Sequence, residues 1–204
     1  MELLDRQNRE GQRPDRQPDP CTWLITFVCY GTWLHGETGA IDRNQNVPGT
    51  RFLAPDEVRY QESERRMTQP AYTLDDIRRP LVLAGIREVC DDRNWELFAV
   101  HVRTNHVHVV VRSAKSPDHI MIALKACASR ALNQAGLEGQ DRHRWARHGS
   151  TIPIRNSNEA LRAVDYVVRR QGEPMAVYEK EEQAGQPAVP SRSLRSRFWA
   201  QPVG

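Results

Sequence analysis

The sequence predicts an α+β fold: a ferredoxin-like (RRM-like) antiparallel sheet with helices on one face, plus a terminal helix that carries a tyrosine. Three observations lead there. The apolar patterning runs strand, helix, strand, strand, helix, strand, helix, which is the split β-α-β arrangement. Two strand-like stretches, 95–102 and 106–112, are separated only by the polar link Arg103-Thr104-Asn105 and read as a hairpin. A last helical repeat follows the final strand, capped by Asn156 or Ser157, with Glu159 in its first turn and Gly172 as its stop.

Each element follows from its residues. Residues 1–20 are nearly all polar with three prolines and cannot bury enough surface to offset the entropy of ordering, so they read as a disordered arm. Residues 23–30, Trp-Leu-Ile-Thr-Phe-Val-Cys-Tyr, form a strand that Gly31 ends. Residues 31–72 are rich in Gly, Asn, Pro and charge and read as a long excursion with room for short elements of its own. The next helix has Pro80 in its first turn and an apolar stripe of Val82, Ile86, Val89 and Cys90. Ser116-Pro117-Asp118 starts another, in which Ile120, Leu124, Cys127, Ala128 and Ala131 recur at helical spacing until Gly136. Residues 137–149 read as a basic loop and 151–154 as a short fourth strand.

Composition bounds the function. A chain of 204 residues, 39% hydrophobic and 27% charged, fits one globular domain over 21–178 with an N-terminal arm and a basic flexible tail over 179–204. No apolar run approaches a membrane span and the N-terminus is polar, so a cytoplasmic protein without a membrane partner is expected. Cys21, Cys29, Cys90 and Cys127 form no Cys-x-x-Cys and are expected to be free thiols. The net charge of +3 is modest, but the arginines cluster, which points to a polyanionic partner.

The most informative stretch is Asn105-His106-Val107-His108-Val109-Val110-Val111. A strand sends alternate side chains to opposite faces, so His106 and His108 project together while Val107, Val109 and Val111 face a core. Two imidazoles on one rigid strand face supply two positions of a divalent-metal site and leave others open for substrate. Cross-strand packing is the plainer alternative.

On a wheel of about 100° per residue, the terminal helix groups Ala160, Leu161, Val164, Val167 and Val168 in one apolar arc, with Tyr166 opposite. The expected neighbours of Tyr166 are Glu159, Arg162, Arg169 and Arg170. A phenol among guanidinium groups suits attack on a phosphodiester, because arginines bind phosphate and stabilise its developing charge. An ordinary solvated basic face is the competing reading.

Together these residues resemble a known family. The run Asn105 to Val110, the helix Asp165-Tyr166-Val167-Val168-Arg169-Arg170-Gln171-Gly172 and the opening 23–36 with its Tyr-Gly-Thr-Trp-Leu are similar to the single-tyrosine HUH transposases, the insertion-sequence and REP-associated group that acts on single-stranded DNA. The similarity spans about residues 21–178. It implies a metal site of Mg²⁺ or Mn²⁺ at His106 and His108, a nucleophile at Tyr166, and a third ligand from a Gln or Asn on the tyrosine helix. The family's amide usually lies four residues after the tyrosine, where this chain has Arg170. Gln171, about 140° round an ideal helix from Tyr166, is the first choice and requires the helix to loosen before Gly172; Asp165, Glu159 or water are the alternatives.

The resemblance also implies cleavage and rejoining of hairpin-bearing single-stranded DNA through a 5′-phosphotyrosine, which stores the bond energy so that no ATP is needed. DNA contacts are expected from Lys125, Ser129 and Arg130 on the helix after Ser116, from Arg142, Arg144 and Arg147 in the basic loop, and from Arg162, Arg169 and Arg170. Trp145 either stacks a base or plugs the core. A homodimer, with each tyrosine helix serving the partner's histidines, is one open arrangement. The chief rival function is a hairpin-DNA-binding protein on the same fold that does not cut. An RNA-binding module would want aromatics where the histidines stand.

Overall fold

Val107, Val109 and Val111 point to one face of a central strand, β3 (His106–Ser113), and Val110 to the other, as the alternation requires. The structure, a computed structural model, describes residues 19–36 and 54–181. The expected arm, except Asp19 and Pro20, the tail beyond Glu181, and residues 37–53 of the excursion lie outside those residues. Around β3 the chain lays down β1 (Cys21–Cys29), α1 (Glu57–Arg65), α2 (Arg78–Asp92), β2 (Glu96–Val102), α3 (Pro117–Gln134), β4 (Trp145–Ile154), α4 (Ser157–Arg169) and β5 (Ala176–Glu179). The strands form one antiparallel sheet in the order β4-β1-β3-β2-β5, the ferredoxin-like arrangement with one strand added at the β2 edge. No helix among the described residues is long and apolar enough to cross a membrane. All four cysteines are unpaired.

One face of the sheet carries the main core. Ile25, Phe27, Val107, Val109 and Val111 pack with Val82, Ile86, Val89 and Cys90 of α2 and with Ile120, Leu124, Ala128 and Leu132 of α3. Ser116 caps α3, its hydroxyl accepting from the His119 N–H, with Pro117 at the first helical position. The two helices approach closely at Gly85, where a Cβ would stand 2.9 Å from the Cys127 carbonyl oxygen and 3.1 Å from the Ala131 Cβ.

The opposite face is covered by α4, whose Ala163, Tyr166 and Val167 pack on Leu24, Ala99 and Val110. Helices therefore lie on both faces, α2 and α3 on one and α4 on the other. Asn156 is the α4 cap, accepting from the Glu159 N–H at 2.9 Å, while Glu159 accepts in return from the Arg155 N–H at 2.8 Å.

Two strands depart from expectation. β4 begins at Trp145 rather than Thr151, so the last five residues of the expected basic loop, 145–149, are strand. As an edge strand bonded only to β1, it buries little and carries Pro153, which an edge tolerates, so its sequence lacks a strand's apolar signal. β5 was not expected at all; its four residues are too short to show alternation. Within the excursion α1 forms with no buried residue, held by the Asp56 cap, which accepts from the Arg59 N–H.

Candidate active site

β3 and α4 bring the histidine pair and the tyrosine together. His106 and His108 share a face with ring centroids 4.8 Å apart, and the Tyr166 ring lies 5.6 Å from His108, edge to face. Tyr166 is only 7% exposed. Its expected display on a basic helical face is thus corrected: the buried stripe of α4 is Ala163, Tyr166 and Val167, and Leu161 of the expected apolar arc is 59% exposed. A wheel ranks residues by hydropathy alone, whereas a tyrosine beside imidazoles can bury its ring and keep a polar partner for its hydroxyl. The arginines follow the rotation outward. Arg169 pairs with Glu179 at 2.8 Å and Arg170 with Asp165 at 2.7 Å, and Arg162 is exposed.

Gln171 completes the cluster. α4 gives up helical geometry at Arg170 (φ −111°, ψ 16°), and Gly172 turns the chain with φ +77°, a conformation glycine adopts freely. Released from the helix, the Gln171 amide oxygen meets His108 Nε2 at 3.1 Å while its NH₂ donates to the Tyr166 carbonyl at 3.3 Å. The Gln171 side chain is also hydrogen-bonded to the Tyr166 phenol. The loosening that Gln171 required has occurred. Asp165 and Glu159 are engaged elsewhere, in the Arg170 pair and the helix cap.

The partners of each ring fix its protons. Asn105 Oδ1 lies 2.7 Å from His106 Nδ1; a carbonyl oxygen can only accept, so Nδ1 carries the hydrogen and the Nε2 lone pair is left for another partner. His108 Nε2 donates to Gln171 and Nδ1 accepts from the Thr26 hydroxyl at 2.7 Å. Burial removes both rings from protonation: His106 is lowered to about 4 and His108 to about 3. Both are neutral at pH 7, as metal ligation requires. Burial also raises the Tyr166 phenol above its ordinary value, with the Gln171 hydrogen bond opposing.

Several residues of this cluster escape a reading of motifs alone. Thr26 stands opposite His108 on β1, and His101 opposite it on β2. The short hairpin link already implies that His101 and His108 face one another. Trp33, at φ +51°, sets its ring 5.5 Å from His106.

The expected DNA contacts divide. Arg144 is 3% exposed, donating to Asn133 at 2.7 Å and to the Gly139 carbonyl, with Glu138 3.5 Å away; this corrects its assignment to phosphate, because the guanidinium serves the fold. Arg142 donates to Gln69 and to the Pro70 and Ala71 carbonyls, and Lys125 to the Ala146 and His148 carbonyls. Burial lowers Lys125 to about 8. Trp145 donates to the Ser129 hydroxyl at 2.9 Å and packs edge-on against Phe27, so it fills the sheet margin as its plainer reading held. Arg130 and Arg147 remain exposed.

Among the described residues no three His, Cys, Asp or Glu side chains converge, so a metal here would rest on the histidine pair, an amide and non-protein ligands. The donor set fits a divalent ion. His108 Nε2 and Gln171 Oε1, 3.1 Å apart, have the spacing of adjacent ligands about 2.1 Å from a common octahedral ion.

Residues 72–168 match the family described as Transposase IS200 like, a span that holds both histidines and Tyr166. Among solved structures, the chain is similar to a REP associated tyrosine transposase bound to a REP hairpin, at 16% identity and a TM-score of 0.40, over 74% of this chain. The chain spans 66% of that protein's length. No curated protein sequence matches it.

Proposed function

We propose that the chain, whose residues 72–168 match the IS200-like transposase family, cleaves and rejoins single-stranded, hairpin-bearing DNA, with Tyr166 as nucleophile and Mg²⁺ or Mn²⁺ held by His106, His108 and Gln171. The observation that carries this reading is the meeting of three groups at His108: the Tyr166 ring at 5.6 Å, the Gln171 oxygen at 3.1 Å and the His106 ring at 4.8 Å.

In the reaction the Tyr166 oxygen forms a bond to phosphorus and the P–O3′ bond breaks, leaving a 5′-phosphotyrosine and a 3′-hydroxyl. The phenol loses a proton and the departing 3′-oxygen gains one, so the step balances through solvent. When bound, the ion supplies Lewis-acid polarisation of the scissile phosphate. The chain's own residues prepare the rest. Asn105 holds His106 in the Nδ1–H form with Nε2 free, and the Thr26 hydroxyl can turn to accept from His108 Nδ1, which frees His108 Nε2 to ligate. Gln171 hydrogen-bonds the phenol and opposes the effect of burial on its proton. Because the phenol and the histidines of one chain already lie together, Tyr166 serves its own metal site. Arg130, Arg147 and Arg162, which are exposed, would meet DNA phosphates.

The burial of Tyr166 favours a second reading, a hairpin-binding protein that does not cut. Incubation of the full chain with a labelled hairpin oligonucleotide in Mn²⁺ and in EDTA separates them. Cleavage confined to Mn²⁺ supports the transposase; tight binding without cleavage in either supports the second reading.

A further inference from the structure

His101 has no role in the reaction as derived, yet it is fully buried and stands directly across the β2–β3 pair from His108. Packing alone would be served by Leu or Phe. A buried imidazole must instead find two partners, and this one finds them in the backbone of a single segment. Its Nδ1 lies 2.9 Å from the Val167 carbonyl oxygen and its Nε2 3.3 Å from the Met175 N–H. Since the carbonyl only accepts and the amide only donates, Nδ1 bears the hydrogen and Nε2 the lone pair.

The position of these partners matters more than their number. In a continuing α-helix the Val167 carbonyl would accept from the N–H of Gln171. His101 takes that carbonyl, and α4 ends within three residues of it, at Arg170. Met175, at the other end, opens the approach to β5. Gln171 lies midway between the two anchors. Arg103, two residues further on and just past the end of β2, donates to the Glu173 carbonyl at 2.8 Å and ties the same turn once more.

We propose that His101 is a positioning residue: bonded through both ring nitrogens to the backbone at Val167 and Met175, it sets where α4 ends and thereby holds the Gln171 side chain against His108. The inference rests on the reading of Gln171 as a metal ligand for its functional meaning, but not for its geometry. It explains how a chain with Arg at position 170 places an amide at the site from one residue further on.

The test uses two isopolar replacements in the full chain. In His101→Asn the amide NH₂ falls near the position of Nδ1 and keeps the bond to Val167. In His101→Gln the amide falls near Nε2 and abandons it. In the metal-free protein, ¹⁵N NMR of the histidine rings reads the His108 Nε2–H bonded to Gln171; His101→Asn should preserve that signal, and His101→Gln should shift it as Gln171→Ala does. Mn²⁺ titration is the second readout: affinity should fall about 10- to 100-fold in His101→Gln and less than about threefold in His101→Asn. Equal behaviour of the two replacements, in either direction, would overturn the clamp. If the wild-type chain and His108→Ala bind Mn²⁺ equally poorly, the metal reading fails, and the metal-free NMR comparison still decides the role of His101.

Discussion

The Gln171 amide oxygen lies 3.1 Å from His108 Nε2, joining the end of the tyrosine helix to the centre of the sheet across 63 positions of sequence. The contact exists because the helix stops at Arg169. On the proposed reading, Gln171 rather than either nearby carboxylate is the residue on which metal affinity depends. Gln171→Ala should weaken Mn²⁺ binding about 10- to 100-fold while hairpin affinity changes little, because phosphate contacts supply most of that affinity. Asp165→Ala and Glu159→Ala should leave Mn²⁺ binding near wild type. Isothermal titration of the three variants checks this; a larger loss in Asp165→Ala would reassign the ligand.

Burial of the histidine pair has a pH consequence. The folded-state pKa values, about 4 for His106 and about 3 for His108, lie below the ordinary value of 6.5. The unfolded chain therefore takes up protons first as pH falls, so stability is fully present above about 6.5 and declines as pH drops towards 4. His106→Phe and His108→Phe should each flatten the slope of stability against pH over that range, as read by urea unfolding at several pH values. A slope unchanged in both variants would mean that the rings titrate normally.

The arginines of the 142–147 stretch should separate into two kinds. Arg144→Ala removes a buried guanidinium beside Glu138 and Asn133 and should cost roughly 3 kcal/mol of stability. Arg147→Ala, at an exposed position, should leave stability unchanged and reduce the slope of log affinity against log salt by about one if the side chain meets a phosphate. Urea unfolding and salt-dependent fluorescence anisotropy distinguish them; a destabilised Arg147→Ala with an unaffected Arg144→Ala would reverse the assignment.

The rotation of α4 is testable in the same way. Leu161→Ser should change stability by less than about 0.5 kcal/mol, whereas Val167→Ala should cost about 1–3 kcal/mol. The opposite order would restore the face chosen by hydropathy.

Much of the scaffold is legible in the sequence because it is written in local rules. Alternation at Val107, Val109 and Val111 fixes the core face of β3, and Ser116-Pro117 marks the start of α3. Legibility fails where tertiary context decides. The facing of α4 depends on what its tyrosine meets across the chain, not on the helix's own hydropathy. β4 and β5 are edge strands, held by backbone bonds that leave little apolar signal. The histidine pair and the choice of Gln171 follow from motif and helix-end chemistry, yet Thr26 and His101 enter the site only through strand register, and Arg144 reads as a phosphate contact until its burial is known.

On the proposed mechanism, the phenol beside His108 forms the covalent bond to DNA. Tyr166→Phe removes one oxygen from a ring that stays packed on the sheet, so fold and hairpin binding should persist. The most direct measurement is a denaturing gel of labelled single-stranded hairpin DNA incubated with wild type and Tyr166→Phe in Mn²⁺, followed by peptide mapping of any protein–DNA adduct. Wild type should give an adduct at Tyr166, and Tyr166→Phe should give none. An adduct that survives the substitution, or cleavage that yields free 5′-phosphate with no adduct, would contradict that mechanism.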